Sequence, residues 1–214
     1  MRMLSSLLAA AVAAGVGVVV WVLIRNFTGY ELGLVAWGIG VLAGLGAAVA
    51  SAGKADGATG FLAGCVAVLA IAGAKYAFAG MVYSEVMDSL GDDVMVVYYA
   101  DAIVEEREAN GDRLVWPAGY TIETAEEREH YPEGIWDQAA MEWNSVAGDE
   151  QTRIKQAVAL DGVNYALRLE GEEPIDSFTT GAILKADLSP FDVIWVVLAF
   201  ASAFKIGSGA VGES

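Results

Sequence analysis

The chain has 214 residues, of which 56% are hydrophobic and only 19% charged, with a net charge of −16 and a mean hydropathy of +0.47. Soluble domains run at roughly 45–50% apolar and about 25% charged residues, so an ordinary soluble globule is excluded. The charge is uneven: residues 83–187 hold 24 of the 28 acidic and 7 of the 12 basic side chains, leaving −17 there and +1 elsewhere. A segment so acidic repels nucleic acid and anionic headgroups alike.

The first apolar run, Leu4 to Ile24, is 21 residues long and ends in Arg25-Asn26-Phe27. A secretory core is about 7–15 residues long and is followed by a small-residue cleavage site. The run is therefore read as an uncleaved first membrane span. A second span is expected over 32–53 and a third over 58–82, the latter interrupted by Lys75. At 1.5 Å rise per residue, about 20 residues cross a ~30 Å hydrocarbon core. The connections, Arg25 to Glu31 and Ser51 to Gly57, are short, which predicts an up-down-up unit. Cys65, the single cysteine, lies inside the third run and is expected to be a small packing residue.

Residues 83–187 are expected to form a mostly helical, acidic extramembrane domain. Met87, Leu90, Val94 and Val97 recur at helical spacing, with Gly91-Asp92-Asp93 as a break or a fresh cap. Pro132 suits the first turn of a new helix, with Trp136, Ala140, Trp143 and Ala147 on one face. A further helix is expected from about Glu150 to Glu170, stopped by Gly171-Glu172-Glu173-Pro174. Trp116, Trp136, Trp143 and Tyr165 are assigned to this domain's core. Ser177 to Ser189 reads as a mixed link.

The fourth span is expected at 188–207, followed by a tail, 208–214. Its uncharged heart, Val193 to Phe204, is only twelve residues. Asp192 and Lys205 near its ends can reach the interfaces. With four crossings, Trp21, Tyr30, Trp37, Tyr76, Tyr83, Phe191 and Trp195 all sort to the side of the acidic segment, as interfacial aromatic rings do. The fold class expected is thus an all-α membrane protein of four transmembrane helices. Lys and Arg near the span ends are almost balanced. The amine and the base-poor acidic segment tilt the reading to cytoplasmic termini and an external domain.

Few residues carry chemistry. Gly40-x-x-x-Gly44 and Gly60-x-x-x-Gly64 are helix-packing faces, because close backbone approach replaces the water-driven force that lipid does not supply. They are expected to pack spans two and three together, with a homo-oligomer or partner-protein face as the sharper alternative. Lys75 is an intramembrane charge and so a functional candidate. It lies near the domain-side end, where a snorkelling or ion-paired role is favoured, with Glu31 and Asp192 as expected partners. Glu127-x-x-His130 has metal-ligand spacing on a helix, but no second such pair exists and Pro132 follows, so a solvated acidic face is expected. No nucleophile elbow, phosphate loop or dinucleotide fingerprint is present. No catalytic, cofactor-binding or metal residue is assigned, and an enzyme is not expected.

Two stretches carry a resemblance: Phe27-Thr28-Gly29-Tyr30-Glu31-Leu32-Gly33 running into Ala36-Trp37-Gly38-Ile39-Gly40, and Pro190-Phe191-Asp192-Val193-Ile194-Trp195 leading to Ala203-Phe204-Lys205-Ile206. The chain resembles a group of uncharacterised bacterial multi-pass membrane proteins. The likeness implies a bacterial inner-membrane location and brings no activity, cofactor or catalytic residue. Relatives of that pattern sometimes carry an N-terminal zinc ribbon, which this chain lacks. The function expected is a non-catalytic, membrane-anchored interaction or scaffold protein, in contact with membrane lipids and with no nucleic-acid partner. The alternative is a transporter or channel subunit with Lys75 in or near the pathway.

Overall fold

The computed structural model describes residues 2–28 and 33–210. Among them there is no strand. The helices are α1 (Arg2–Thr28), α2 (Gly33–Ala50), α3 (Gly57–Ser89), α4 (Asp92–Ala109), α5 (Ile135–Ser145), α6 (Gly148–Glu170), α7 (Thr180–Asp187) and α8 (Pro190–Gly207). A single 3-10 turn occupies Arg128–His130. Four of the helices, α1, α2, α3 and α8, are long and apolar enough to cross a membrane. The chain divides into two compact units, Met1–Met81 with Ile183–Ser214, and Val82–Ala182.

In the first unit the usual distribution of side chains is inverted. The buried core is mainly alanine: Ala10, Ala14, Ala36, Ala43, Ala47, Ala63, Ala67, Ala199 and Ala203, with Ile39, Ile71 and Trp21. The large apolar side chains face out, among them Leu4, Leu8, Val12 and Val16 on α1 and Phe191, Val193, Ile194 and Val197 on α8. Small residues inside let helix backbones approach closely, and an apolar exterior is the surface that lipid, not water, favours. α1 packs on α2, and α2 on α8. The α2–α3 connection turns through Ala52 and Gly53, both at positive φ. Asp56 then starts α3: its Oδ1 accepts hydrogen bonds at 2.8 Å from the Thr59 backbone N–H and the Thr59 hydroxyl. Those bonds hold the Asp56 carboxyl below its ordinary value.

The second unit has a conventional core. Met95, Ala100 and Val104 of α4 pack against Ile135, Ala139 and Trp143 of α5, with Val96, Ile103, Ala125 and Tyr131 around them. Gly91 precedes α4 and does recap the chain there, with Asp92 and Asp93 in the first turn, where the helix dipole favours negative charge. The buried face of α4 is one residue out from the expected one: Met95, Val96 and Ala100 are inside, and Val94 is exposed. Pro132 does not open α5. The helix starts three residues later, after Gly134 at φ 83°. A residue at that φ is outside the helical region, so the proline lies in the preceding turn, where its carbonyl accepts from Ile135 N–H at 3.2 Å.

The inward face of α5 is correspondingly Ile135, Ala139 and Trp143, while Ala147 is exposed ahead of α6. Gly171, at φ 76°, ends α6. The Glu172 N–H reaches back to the Leu167 carbonyl at 2.8 Å and the Gly171 N–H to Arg168 at 3.2 Å, a Schellman closure. Trp143 is fully buried and Trp116 and Trp136 are packed against the core, but Tyr165 is exposed on α6. Residues 177–189, expected as a link, contain α7.

Candidate functional site

The strongest concentration of charge within the first unit is built on α3, α1 and the entry to α8. Lys75 is the nineteenth residue of the 33-residue α3 and only 5% exposed. A buried ammonium is costly unless carboxylates and acceptors surround it. Its Nζ lies 3.0 Å from Asp192 Oδ1 and 3.2 Å from Asp187 Oδ2, with the Asp187 backbone carbonyl at 3.4 Å. Arg25, in the last turn of α1, donates to Asp187 Oδ1 at 2.8 Å. The face of its guanidinium rests 3.3 Å from the centre of the Phe78 ring, a cation–π contact. Asp187 therefore joins two cations, one from α1 and one from α3.

Asp192 has a second duty. Its Oδ2 accepts from the Ser189 backbone N–H at 2.7 Å, which closes the first turn of α8, and Pro190 occupies the first helical position. This is the reciprocal half of a capping box: an acid three residues into the helix holds the backbone N–H of the capping residue. The same carboxylate thus caps α8 with one oxygen and binds Lys75 with the other.

Of the expected partners of Lys75, Asp192 is in place, and Glu31 lies outside the described residues, as does Tyr30. Asp187 and Arg25 were not expected as partners. The Ser189-x-x-Asp192 spacing before an apolar run was a readable capping signal. Nothing local in sequence marks Asp187, because its pairing closes a separation of 112 residues to Lys75.

Beside this cluster runs a crevice lined by Trp21, Val22, Arg25, Ala74, Lys75 and Phe78. Trp21 is 4% exposed, and its indole Nε1 is buried without a hydrogen-bond partner among the described residues.

The four packing glycines are brought together differently from expectation. The atoms nearest Gly40 all belong to Ala199, and those nearest Gly44 to Ala203 and Ile206. Gly60 meets Phe204 and Ser208, and Gly64 the Phe200 ring. Both glycine faces are thus set against α8 rather than against each other. α8 carries its own small stripe, Ala199, Ala203 and Gly207, of which Ala199 and Ala203 face the α2 glycines. Phe61 and Phe200 meet edge to face at 5.9 Å, and Trp37 Nε1 donates to Ser202 Oγ at 2.8 Å.

In the second unit two polar pairs stabilise the core edge. Trp143 Nε1 and Lys155 Nζ both donate to Asp92 Oδ1, at 3.2 and 3.3 Å, and hold that carboxyl below its ordinary value. The Tyr131 hydroxyl donates to Asp101 Oδ1 at 2.7 Å. Burial pushes the Tyr131 hydroxyl well above its usual range, and the bond to Asp101 adds to the shift. Burial also raises Asp101, against the opposing pull of that bond.

His130 ends a 3-10 turn rather than sitting on an α-helix with Glu127. Its Nδ1 accepts from the backbone N–H groups of Glu126 and Glu127 at 3.2 Å, and its ring stacks on Tyr120 at 4.0 Å. The histidine is a local fold element with one nitrogen already engaged. Among the described residues, no three His, Cys, Asp or Glu side chains converge as a metal site. No family model, no curated protein and no solved structure matches this chain.

Proposed function

We propose that the chain is an integral membrane protein, with α1, α2, α3 and α8 crossing the bilayer and residues 82–182 carried as an acidic, water-facing module. Its role is to anchor and present that module to a protein partner, without catalysis. The location suggested by the resemblance is a bacterial inner membrane, with both termini cytoplasmic and the module outside. The observation that carries the non-transporting reading is that the charges among the apolar helices pair with one another: Lys75 with Asp187 and Asp192, and Arg25 with Asp187. A conduction path needs charges that a solute can reach, whereas these compensate each other at one end of the helices. A module of net charge near −17 steers basic surfaces towards it.

The test is site-specific photocrosslinking in native membranes from exposed positions of the module, Met141 and Tyr165. A discrete, salt-sensitive adduct is expected. Absence of any adduct, together with a Lys75→Met variant that abolishes a solute flux, would replace this reading with the transporter one. Labelling of a cysteine placed at Tyr165 by an impermeant maleimide in intact cells is expected if the module is outside.

A further inference from the structure

We propose that the cavity among the start of α1, the end of α2 and the start of α3 binds the headgroup of an ethanolamine phospholipid. The phosphate accepts from Lys54 and Ser6, and the ammonium donates to Asp56. The proposal rests on the reading of these helices as membrane spans. The cavity has a volume of about 210 Å³, far above the roughly 10–15 Å³ that admits one water. Ser6, Ser51, Lys54, Asp56 and Thr59 line it, together with Met3. Ser6 is the residue that calls for a ligand. It is 5% exposed, yet its hydroxyl has no hydrogen-bond partner among the described residues, and buried hydroxyls are ordinarily paired. Among the described residues only Trp21 Nε1 is both fully enclosed and unpartnered. The Ser6 oxygen is therefore reachable, and the cavity is the open space beside it.

The other polar groups of the lining decide the chemistry. Lys54 and Asp56 both face the cavity, and no ion pair joins them or engages Lys54 among the described residues. Asp56 uses Oδ1 for the Thr59 backbone N–H and hydroxyl, both at 2.8 Å, which leaves Oδ2 to accept. The Ser51 hydroxyl donates to the Ala48 carbonyl at 2.7 Å, so Ser51 and Thr59 offer the cavity acceptor oxygens only. A bare phosphate would suit Lys54 and Ser6 but be repelled by Asp56, and a bare ammonium would meet the reverse. A group with phosphate and ammonium two carbons apart suits both. Choline has no N–H to donate to the carboxylate, and a glycerol headgroup brings no cation. Depth fixes the source as a lipid: α2 has ended at Ala50 and the apolar run of α1 begins beside Met3. The cavity thus lies at the ends of the spans, where phospholipid headgroups sit.

The experiment is native mass spectrometry of the full chain in detergent micelles, titrated separately with dioleoyl phosphatidylethanolamine, phosphatidylcholine and phosphatidylglycerol. The ethanolamine lipid is expected to bind one per chain, about tenfold more tightly than either of the others. Ser6→Ala should weaken it by about three- to tenfold and Lys54→Met by about fivefold. Asp56→Asn keeps the acceptor for Thr59 and removes the charge, so it should abolish the preference for ethanolamine over glycerol. Lys54 and Asp56 are exposed, so their variants test the site without disturbing the buried serine, and circular dichroism should be unchanged in both. Equal binding of the three lipids by the wild type, or wild-type affinities in all three variants, would overturn the proposal. Displacement of the lipid by an equal concentration of free O-phosphoethanolamine would overturn the lipid source. Alkaline carbonate extraction separates the two failures. A chain that pellets with membranes yet shows no ethanolamine preference overturns the site alone, and one that is released overturns the membrane reading with it.

Discussion

Gly40→Ala tests the packing logic most directly, because the geometry sets the size of the effect. A Cβ on Gly40 would lie 2.5 Å from Ala199 Cα and 2.6 Å from its carbonyl carbon, both backbone atoms that cannot rotate aside. Relief to an ordinary 3.4 Å contact requires α8 to retreat by about 1 Å, and overpacking of this kind costs about 1–3 kcal/mol. Removing a glycine from a helix interior returns up to about 1 kcal/mol. Gly38→Ala isolates that gain, since a Cβ there meets nothing within 4 Å on the same helix. The difference between the variants, about 1–3 kcal/mol, reports packing alone. In thermal unfolding of the detergent-solubilised chain it corresponds to a Tm for Gly40→Ala about 3–10 °C below that of Gly38→Ala. Gly60→Ala, facing the Phe204 carbonyl at 2.5 Å, should follow Gly40→Ala. Gly64→Ala, facing a phenyl ring that can turn, should cost less. Equal Tm values for Gly40→Ala and Gly38→Ala would refute the tight α2–α8 contact.

Two further outcomes follow from the charged groups. Lys75→Met leaves Asp192 without its ammonium partner and should destabilise the chain by about 2–4 kcal/mol; Asp192→Asn keeps the capping acceptor, so the double variant should recover part of that loss, with a coupling of about 1–3 kcal/mol that an additive cycle would contradict. In the second unit the folded Asp101 binds its proton more tightly than the unfolded chain does, so stability falls as pH rises from the unfolded value of 3.8 through the raised folded one. Asp101→Asn keeps an acceptor for Tyr131 and should flatten that slope above the unfolded value of 3.8, read as Tm against pH by near-ultraviolet circular dichroism.

The sequence made the helical character and the four long apolar helices legible, because hydropathy integrates over twenty residues and tolerates local error. Helix starts were less so. Pro132 is a strong local signal, yet Gly134 at positive φ moved the start of α5 past it. The glycine stripes were visible as packing faces, but which helix each one meets is not local information. A small-residue face fits any other, and α8 meets α2 through Ala199 and Ala203 and α3 through Phe200, Phe204 and Gly207. At the charged cluster, Lys75 was conspicuous as a lone charge in an apolar run, and Asp192 was in range by counting turns. Asp187 sits in a stretch that reads as a link, and only the fold of α7 and the entry to α8 bring it to Arg25 and Lys75. Tyr165 was misassigned because aromatic content marks a core only when helical phase agrees, and its phase on α6 faces outward.

The charged cluster contributes to the register of α8. Ala199, Ala203 and Gly207 repeat every four residues, so a slip of α8 by four would set Ala203 against Gly40 and Gly207 against Gly44. Packing of small residues would hardly distinguish the two registers. Such a slip displaces Asp192 by about 6 Å along the axis, twice its 3.0 Å separation from Lys75 Nζ. It would strand a buried ammonium and separate Asp192 from the lysine while it still caps α8. Ion pairs in a low-dielectric setting contribute little net stability over an apolar substitute, but breaking one is expensive. The cluster therefore acts on the choice of register more than on the total stability of the helices. A Lys75→Met chain should retain its helical content while losing the single Trp37–Ser202 register, which a cysteine crosslink between α2 and α8 at neighbouring positions would reveal as more than one product.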